Sequence, residues 1–496
     1  MAHHPANTIP SRLLMWRRVR EYAVPPSMIE TATARRVAGD WAGACAAARV
    51  DVDLDLRAVR ERHGTELVTR LRADLRRLAP DLLRWHMPRI APDGRLRPGL
   101  TVCLARYPAS PGATSPQLVV RTPPAWADAG QRMSLALWEG PRSESPGHHP
   151  HPHPDRRFRL DLHRHLWDAG RSAELARRCG ADGASGAGGV PSVEPYPPGG
   201  PAVPDSPWAV ERWAAEAELL LRAEGRTRGA FVVRLGARSR AVLELFAPDD
   251  SHVPALRPLR ESLPPQEVAA LPVLPEAAAR VLPDLELLRA GLVAPGRLHP
   301  LVAAALAESG AAPMVGAASA SGPASVAGAA AGPGDPHRVE CRGEVHRIAL
   351  RDGGLTAVDH DPAQLRREEL LVALGGPPLP CLRAIDAVHR SPQELPAVRE
   401  RLRHGDVAGA LAVVEGLLGP GAVLRDGPLR EELRSAAARR IDHGLFRAGL
   451  VAVHPAAGTE AAGAGAGRRP RLNRHTPPAI RRKRADRARP RTTLTR

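Results

Sequence analysis

Six histidines lie close together in residues 147–165, which read GHHPHPHPDRRFRLDLHRH. Imidazole is a common ligand of zinc and other transition metals, so this stretch raises the question of a metal site. His148, His149, His151 and His153 alternate with prolines, which favours an extended polyproline conformation with three residues per turn. Histidines two residues apart do not share a face in that conformation. This first half therefore predicts a linker with weak metal affinity at most.

The second half, FRLDLHRH, alternates apolar and polar residues as a strand does. With its apolar residues on the core side, Asp161, His163 and His165 lie together on the opposite face. Two histidines two residues apart on a strand have the spacing of zinc ligands, so Asp161, His163 and His165 are a candidate zinc site. A further ligand would have to come from another segment. The alternative interpretation is the ordinary solvated face of a strand.

The end of the chain is a second place where residue types suggest binding. Residues 468–496 contain twelve arginines or lysines and one acid, Asp486, and so account for +11 of the formal charge of +17. Such a tail can bind nucleic acid or another polyanion through phosphate contacts without reading a sequence. The candidate contact residues are Arg468, Arg469, Arg471, Arg474, Arg481, Arg482, Lys483 and Arg484.

The sequence lacks residues and motifs that several enzyme classes require. Lys483 is the single lysine, so residues 1–482 offer no P-loop lysine and no Schiff-base lysine. The motifs G-x-S-x-G, H-E-x-x-H and G-x-G-x-x-G do not occur. The acidic run DVDLDL fails as a calcium loop, because Leu56 and Arg62 stand where glycine and glutamate are needed. The sequence favours a non-enzymatic role without deciding the question.

Composition bears on the compartment and on the arginines. Five cysteines are far apart and form no C-x-x-C, which is typical of reduced thiols in a cytoplasm. The N-terminus has no apolar core of a signal peptide, and no run of eighteen apolar residues exists, so we expect a cytoplasmic protein with no membrane span. The arginines around 70–84 predict a solvated helix face, and Trp85, Trp208 and Trp213 predict core packing.

The elements that would position these residues indicate an α+β protein. Three stretches rich in Gly, Pro, Ser and Ala predict disordered linkers at 139–157, 180–207 and 309–336. The predicted organisation is as follows: 10–180, N-terminal helices and an antiparallel sheet; 181–207, linker; 208–308, a small α+β block; 309–336, linker; 337–453, a β-hairpin and helices; 454–496, a disordered basic tail.

The first block opens with predicted helices, and Ser27 and Glu30 have the spacing of a capping box at the start of one of them. Four alternating stretches follow as strands of a sheet with one face on a core: TVCLARY, QLVVRT, RMSLALW and RFRLDLHRHLW. Two further hairpins are predicted in AFVVRLGARSRAVLELFA and in EVHRIALRDGGLTAVDH, the second around an Asp-Gly turn.

One short pattern occurs twice. RVAGDWAGACAAA (36–48) and LRHGDVAGALAVV (402–414) share Gly-Asp-x-Ala-Gly-Ala. Each reads as a helix ended by glycine, followed by an aspartate that caps the next helix, as in helical-repeat proteins. Local convergence and a true repeat both explain the pattern. Pro396 is expected to shift the start of the helix before the second copy.

The stretches VREYAVPPSMIETATARR, DLLRWHMPRIAPDG and RFRLDLHRHLWDAG are similar to a group of uncharacterised proteins of high-GC actinobacteria. The similarity covers most of 17–180 and part of 338–450, and it implies no activity. Helical hairpins, linkers and the lack of a catalytic signature favour a cytoplasmic scaffold that binds another protein. The alternatives are a polyanion binder acting through the tail and a metal-dependent enzyme using His163 and His165.

Overall fold

A computed structural model describes residues 9–109, 114–140, 153–180, 207–237, 239–246, 255–259, 263–308 and 338–448. The protein mixes helices with several small sheets, and the α+β class predicted from the sequence is confirmed. The chain divides into two compact units. Unit 1 comprises residues 1–313 and 445–496, and unit 2 comprises residues 314–444.

Unit 1 is built from eleven described helices and nine described strands. The helices are α1 (Ser11–Tyr22), α2 (Pro26–Val37), α3 (Trp41–Ala47), α4 (Leu56–Arg77), α5 (Pro80–His86), α6 (Glu174–Cys179), α7 (Trp213–Ala223), α8 (Pro265–Ala270), α9 (Glu276–Ala279), α10 (Pro283–Arg289) and α11 (Pro300–Glu308). The strands are β1 (Val50–Asp53), β2 (Arg89–Ile90), β3 (Arg95–Leu96), β4 (Thr101–Arg106), β5 (Gln117–Arg121), β6 (Met133–Trp138), β7 (Gly229–Arg234), β8 (Arg240–Phe246) and β9 (Ala255–Pro258).

The central sheet of unit 1 has the strand order β1-β6-β5-β4. The three predicted strands β4, β5 and β6 are confirmed, and they pair antiparallel in sequence order. The short strand β1 overlaps the acidic run DVDLDL and pairs parallel to β6. The prediction of one solvated face is wrong, because β4 and β5 are buried on both faces except at Arg106 and Arg121. Continuous apolar runs such as TVCLA fit a strand that is covered on both sides.

The fourth predicted strand, FRLDLHRH, is wrong. The segment forms turns and a 3-10 helix at Arg164–Leu166, with a single bridge between Arg159 and Cys103. It lies along the edge of β4, where Asp155 N–H donates to the Thr101 carbonyl (2.8 Å) and Asp161 N–H donates to the Cys103 carbonyl (3.0 Å). A sequence that alternates like a strand is here held by isolated hydrogen bonds to a neighbouring strand.

Residues 9–180 and 207–308 share one hydrophobic core. Val19 and Leu175 from the first segment belong to the same buried cluster as Leu285, Val302 and Leu306 from the second. The contacts run between α1 and α10 and between α6 and α11. A second cluster packs α7 against the sheet β7-β8-β9, which contains the predicted hairpin and one further strand.

Unit 2 begins with a three-stranded antiparallel sheet and continues with helices. Its elements are β10 (Arg338–Cys341), β11 (Glu344–Arg351), β12 (Gly354–Ala357), α12 (Pro362–Ala373), α13 (Pro380–Arg390), α14 (Leu395–Arg403), α15 (Val407–Leu418) and α16 (Pro428–Arg447), the last of which ends beyond the unit boundary. The predicted Asp-Gly turn is confirmed, because Asp352 and Gly353 both have positive φ angles, 53° and 80°.

The N-terminal helices confirm one predicted cap and correct another. Helix α2 begins at Pro26, so Ser27 lies inside its first turn and caps nothing; the predicted capping box is wrong. Pro26 occupies the first helical position, where proline favours the start of a helix. Gly39 has a φ of 79°, and the Asp40 carboxylate accepts from Gly43 N–H at 2.8 Å, as predicted for a glycine stop followed by an aspartate cap.

The second Gly-Asp copy has the same local geometry. Gly405 has a φ of 82°, and Asp406 accepts from Gly409 N–H at 3.2 Å. In both copies an arginine five residues earlier binds the capping aspartate, Arg35 at 3.2 Å and Arg401 at 2.8 Å. Helix α14 begins at Leu395 with Pro396 in its first turn, where the missing N–H of proline leaves no intrahelical hydrogen bond unmade.

The glycine three residues after each aspartate is required by this geometry, and we expect Gly409→Ala to be less stable than Gly416→Ala by about 1 kcal/mol, the usual value of an aspartate cap. A Cβ at Gly409 would lie 2.1 Å from Asp406 Oδ2, so the cap must give way. Gly416 lies in the same helix with no atom within 4 Å of an added Cβ. Gly416→Ala should therefore stabilise by roughly 0.5–1 kcal/mol. Urea denaturation of the two variants measures both shifts, and equal shifts of the same sign would contradict the argument.

None of the helices among the described residues has the length and apolar character needed to span a membrane. The predicted linker centres and the basic tail 468–496, with its eight candidate contact residues, lie outside the described residues. His148, His149 and His151 lie outside them as well, and His153 is described and exposed.

Candidate functional site

The predicted residues His163 and His165 are buried inside unit 1, with 2% and 4% of their surface exposed. They do not lie on the exposed face of a strand, which removes the alternative interpretation of a solvated surface. Their rings stand edge to face, with centroids 5.7 Å apart. The two side chains have different surroundings, and each indicates something about the site.

His163 belongs to a buried group that joins the two halves of unit 1. Arg178 on α6 donates to His163 Nδ1 at 3.1 Å and holds both carboxylate oxygens of Glu216 on α7 at 2.9 and 2.8 Å. A ring nitrogen that accepts from a guanidinium carries no proton, so the His163 proton is on Nε2. His163 is therefore a neutral imidazole beside the bidentate ion pair of Arg178 and Glu216.

Asp161 faces arginines rather than the two histidines. Arg159 Nη2 donates to its carboxylate at 2.6 Å, and Arg106 Nε lies 3.4 Å from it. Guanidinium groups therefore hold the oxygen atoms that a zinc ion would need, and Arg178 occupies His163 Nδ1. Among the described residues, the group of cysteine, histidine and acidic side chains whose ligand atoms lie within 4.8 Å of one another is a different one, in unit 2.

His165 lines a cavity of about 550 Å³ within unit 1. This volume falls within the usual range for a small-molecule site. The cavity is bounded by α1, by the segment from His86 to Ala91, by the 155–166 segment, by α6 and by residues 275–283. Residues from both sides of the stretch 181–206 therefore form its walls.

The cavity is strongly basic. Its described lining contains ten arginines, two histidines (His86 and His165) and two acids (Asp155 and Glu276). Several of the arginines have carboxylate partners: Arg157, for example, binds Glu276 at 2.8 Å. Carboxylates just outside the lining, Asp284, Glu286 and Glu216, pair with further arginines, so the positive field in the cavity comes from the few guanidinium groups that remain.

Two of these arginines are held by backbone carbonyls. Arg89 is buried, with 7% of its surface exposed, and donates to the carbonyls of Arg84 (2.6 Å) and Gly94 (3.5 Å). Arg212 donates to the carbonyls of Arg178 and Arg280. The Nε atoms of both arginines are buried without a hydrogen-bond partner. Carbonyl dipoles orient both guanidinium groups. Glu216 and Glu211 lie near enough to stabilise the charge of Arg212, whereas Arg89 has no carboxylate partner among the described residues.

Burial changes the pKa values of Arg89 and Arg212. Burial, together with the nearby Arg20, lowers the pKa of Arg89 to about 9, and burial lowers the pKa of Arg212 as well. Arg89 therefore remains protonated at neutral pH. A buried cation without a counter-charge is costly, and a ligand anion would relieve that cost.

The histidines at the cavity are neutral. Burial lowers the pKa of His86 to about 3 and that of the neighbouring His163 to about 4. Burial also lowers the pKa of His165, and the nearby His163, Arg178 and Arg212 lower it further. His86 Nε2 and His165 Nδ1 are buried and have no hydrogen-bond partner in the described chain. Each offers a ligand one neutral donor or acceptor, according to its tautomer.

A buried ion pair supports one wall. Arg20 on α1 donates to both carboxylate oxygens of Asp284 on α10, at 2.9 and 2.7 Å, and to the Trp85 carbonyl at 2.7 Å. Trp85 Nε1 also donates to Asp284, at 3.0 Å. The Arg20 guanidinium lies 4.3 Å from the centroid of the Trp85 ring. These contacts fix the position of α1 relative to α5 and α10.

The rest of the lining is apolar. Met15, Trp16, Ile90, Phe158 and Leu166 contribute side chains to the cavity. Arg157 lies over the Phe158 ring at 5.1 Å, so charge and aromatic surface occur side by side. A complementary ligand therefore combines an anionic group with an apolar part.

Of the residues that line this cavity, the sequence analysis singled out His165, and it did so as a candidate zinc ligand. Of the 70 lysines and arginines, all but Lys483 are arginines, so arginine by itself marks no site in this chain. Arg84, predicted on a solvated helix face, is fully buried and donates to the carbonyls of Ala48 and Gln131. Trp85 and Trp213 are core residues, as predicted.

Comparison of the chain with protein-family models, with curated proteins and with solved structures finds no match. The resemblance to actinobacterial proteins stays a prediction, and the site has to be interpreted from its own chemistry.

Proposed function

We propose that unit 1 binds a small anionic ligand with an apolar part in the cavity lined by Arg89, His165 and Arg212. The observation that carries this proposal is the buried guanidinium group of Arg89, whose described hydrogen-bond partners are backbone carbonyls. The half-buried Arg212 at the same cavity also donates to backbone carbonyls. A phosphate or carboxylate of the ligand would supply the missing counter-charge. Guanidinium groups suit such groups because they donate two parallel hydrogen bonds.

The test uses three probes that share one ring system: 1-naphthyl phosphate, 1-naphthoate and 1-naphthol. Calorimetry on the full chain should detect binding of one or both anions, with the neutral 1-naphthol at least about tenfold weaker, since a hydrogen bond to a charged group contributes about 1.5–3 kcal/mol. The two anions distinguish a phosphate site from a carboxylate site. Equal binding of all three probes, or of none, would contradict the proposal.

Variants locate the binding. Arg89→Gln and Arg212→Gln should each weaken the anion by roughly ten- to a hundredfold and leave 1-naphthol unchanged. Arg70→Gln is the matched control, because Arg70 is an exposed α4 residue paired with Glu66. Deletion of residues 468–496 should also leave the affinity unchanged. A loss on tail deletion would assign the anion to the tail instead.

Three predictions from the sequence remain proposals beside this one. A cytoplasmic location is supported by five free cysteines, all of them buried. A protein partner and a polyanion bound by residues 468–496 stay predictions. A steeply salt-dependent nucleic-acid affinity that disappears on tail deletion would support the second of these.

A further inference from the structure

Three buried side chains of unit 2 converge from distant points of the chain. Cys341 ends β10, His360 follows β12, and Cys381 lies in the first turn of α13. Their surface exposures are 0%, 9% and 0%. Helix α13 packs on the sheet β10-β11-β12, and this packing brings the three residues together.

The ligand atoms of these residues form a compact group. One atom from each side chain can be chosen so that all lie within 4.8 Å of one another. His360 Nε2 lies 3.4 Å from Cys381 Sγ. Two ligands bound to one zinc ion in a tetrahedral site lie at similar separations, because zinc–sulfur and zinc–nitrogen bonds are about 2.3 and 2.0 Å long.

A fourth candidate ligand stands beside the group. The ring of His346 on β11 stacks on the His360 ring, with centroids 4.0 Å apart. The register pairs His346 with Val339, two residues before Cys341, so His346 and Cys341 lie on one face of the sheet. His346 Nδ1 is buried and has no hydrogen-bond partner among the described residues.

The apolar core around these residues is small. The buried cluster comprises Cys341, Ala357, Leu379 and Cys381, and α12, which follows His360, has no buried residue. A fold segment with so little buried apolar surface needs another source of stability, and small domains often obtain it from a structural metal.

We propose that Cys341, His360 and Cys381 bind one zinc ion, and that His346, which lies outside this group of ligand atoms, becomes the fourth ligand by turning its ring out of the stacked position. Two thiolates and two imidazoles are a common structural zinc set, and this mixture of soft and borderline ligands favours zinc over calcium or magnesium. The ion would join the sheet β10-β11-β12 to α13. The proposal is independent of the anion site, which lies in unit 1.

The experiment uses the full chain purified without a histidine tag. Elemental analysis after passage over a chelating resin should retain one zinc per chain, because the resin strips weak binding by the histidine–proline stretch. Cobalt added to zinc-depleted protein should give thiolate-to-cobalt charge-transfer bands and the visible bands of a tetrahedral site. Cobalt bands without thiolate charge transfer would overturn the assignment of the ligands.

Variants test each ligand. Cys341→Ser and Cys381→Ser should weaken zinc by more than about a hundredfold, since loss of an outer hydrogen-bond partner alone costs about 10- to 100-fold. His346→Ala should weaken it as well and change the cobalt bands. Cys45→Ser, at a buried cysteine of unit 1, is the matched control and should leave one zinc bound.

Two results would overturn the proposal without any variant. The first is a zinc-free protein whose unit 2 is folded and whose melting temperature does not change on adding zinc. The second is a Cys341–Cys381 disulfide in protein isolated under reducing conditions, detected as a loss of two hydrogens by mass spectrometry. Because both measurements use the natural sequence, a variant that fails to fold cannot obscure the result.

Discussion

Asp284→Asn destabilises unit 1 by roughly 3–5 kcal/mol, because it leaves the Arg20 guanidinium buried without its counter-charge. The pair is closed to solvent: 2% of the Arg20 side chain and none of the Asp284 side chain is exposed. Asp284 also accepts from Trp85 Nε1, so three donors lose a charged acceptor at once. Urea or thermal denaturation measures the loss.

An exposed ion pair of the same unit provides the control. Glu66 and Arg70 are paired on α4 with side-chain exposures of 80% and 51%, so Glu66→Gln should change the free energy of unfolding by less than about 0.5 kcal/mol. The double variant Arg20→Met/Asp284→Leu should be less destabilised than Asp284→Asn, because no unpaired charge remains. A double variant as unstable as the sum of its single substitutions would contradict this explanation.

Mild acid should destabilise unit 1 steeply. Burial lowers the pKa of His86 to about 3 and of His163 to about 4, and it lowers the pKa of His165 too. The unfolded chain, with histidine pKa values near 6.5, binds these protons first, so the contribution is fully present above about pH 6.5 and decreases as the pH falls toward about 4. Each histidine contributes about 1.4 kcal/mol per pH unit, so the three together give about 4 kcal/mol per unit.

Denaturation of the full chain between pH 7 and pH 5 tests this slope. His165→Gln should reduce the slope by about 1.4 kcal/mol per pH unit, since one titrating group is removed. His153→Gln, at an exposed histidine, should leave the slope unchanged. The charged groups near His163 are Glu216, Arg178, Asp161 and Arg212, and Arg178 and Arg212 also act on His165. Those near His86 are Asp284 and Arg20. A flat profile would mean that the rings take up protons in the folded state.

The sequence predicted two helix caps and one tight turn correctly. The Asp40 and Asp406 caps and the Asp352-Gly353 turn depend on a few adjacent residues, and all three are confirmed. The strand FRLDLHRH failed because a period of two is also compatible with an irregular segment held at the edge of β4. The capping box predicted at Ser27 is wrong because the helix already begins at Pro26, one residue earlier.

The sites depend on contacts between distant segments, which spacing alone does not contain. Cys341, His360 and Cys381 are separated by about twenty residues at each step, and the packing of α13 on the sheet brings them together. Arg89 and Arg212 meet at one cavity because residues 207–308 pack onto the first segment. The spacing of His163 and His165 predicted a zinc site. His165 instead lines a cavity whose polar side chains are mainly arginines.

The shared core of residues 9–180 and 207–308 also determines how this chain can be cut. Val19 and Leu175 on one side and Leu285 and Val302 on the other are buried in the same cluster, so an expressed fragment that stops near Gly180 would carry an uncovered apolar surface. Fragment boundaries therefore do not belong between residues 180 and 207.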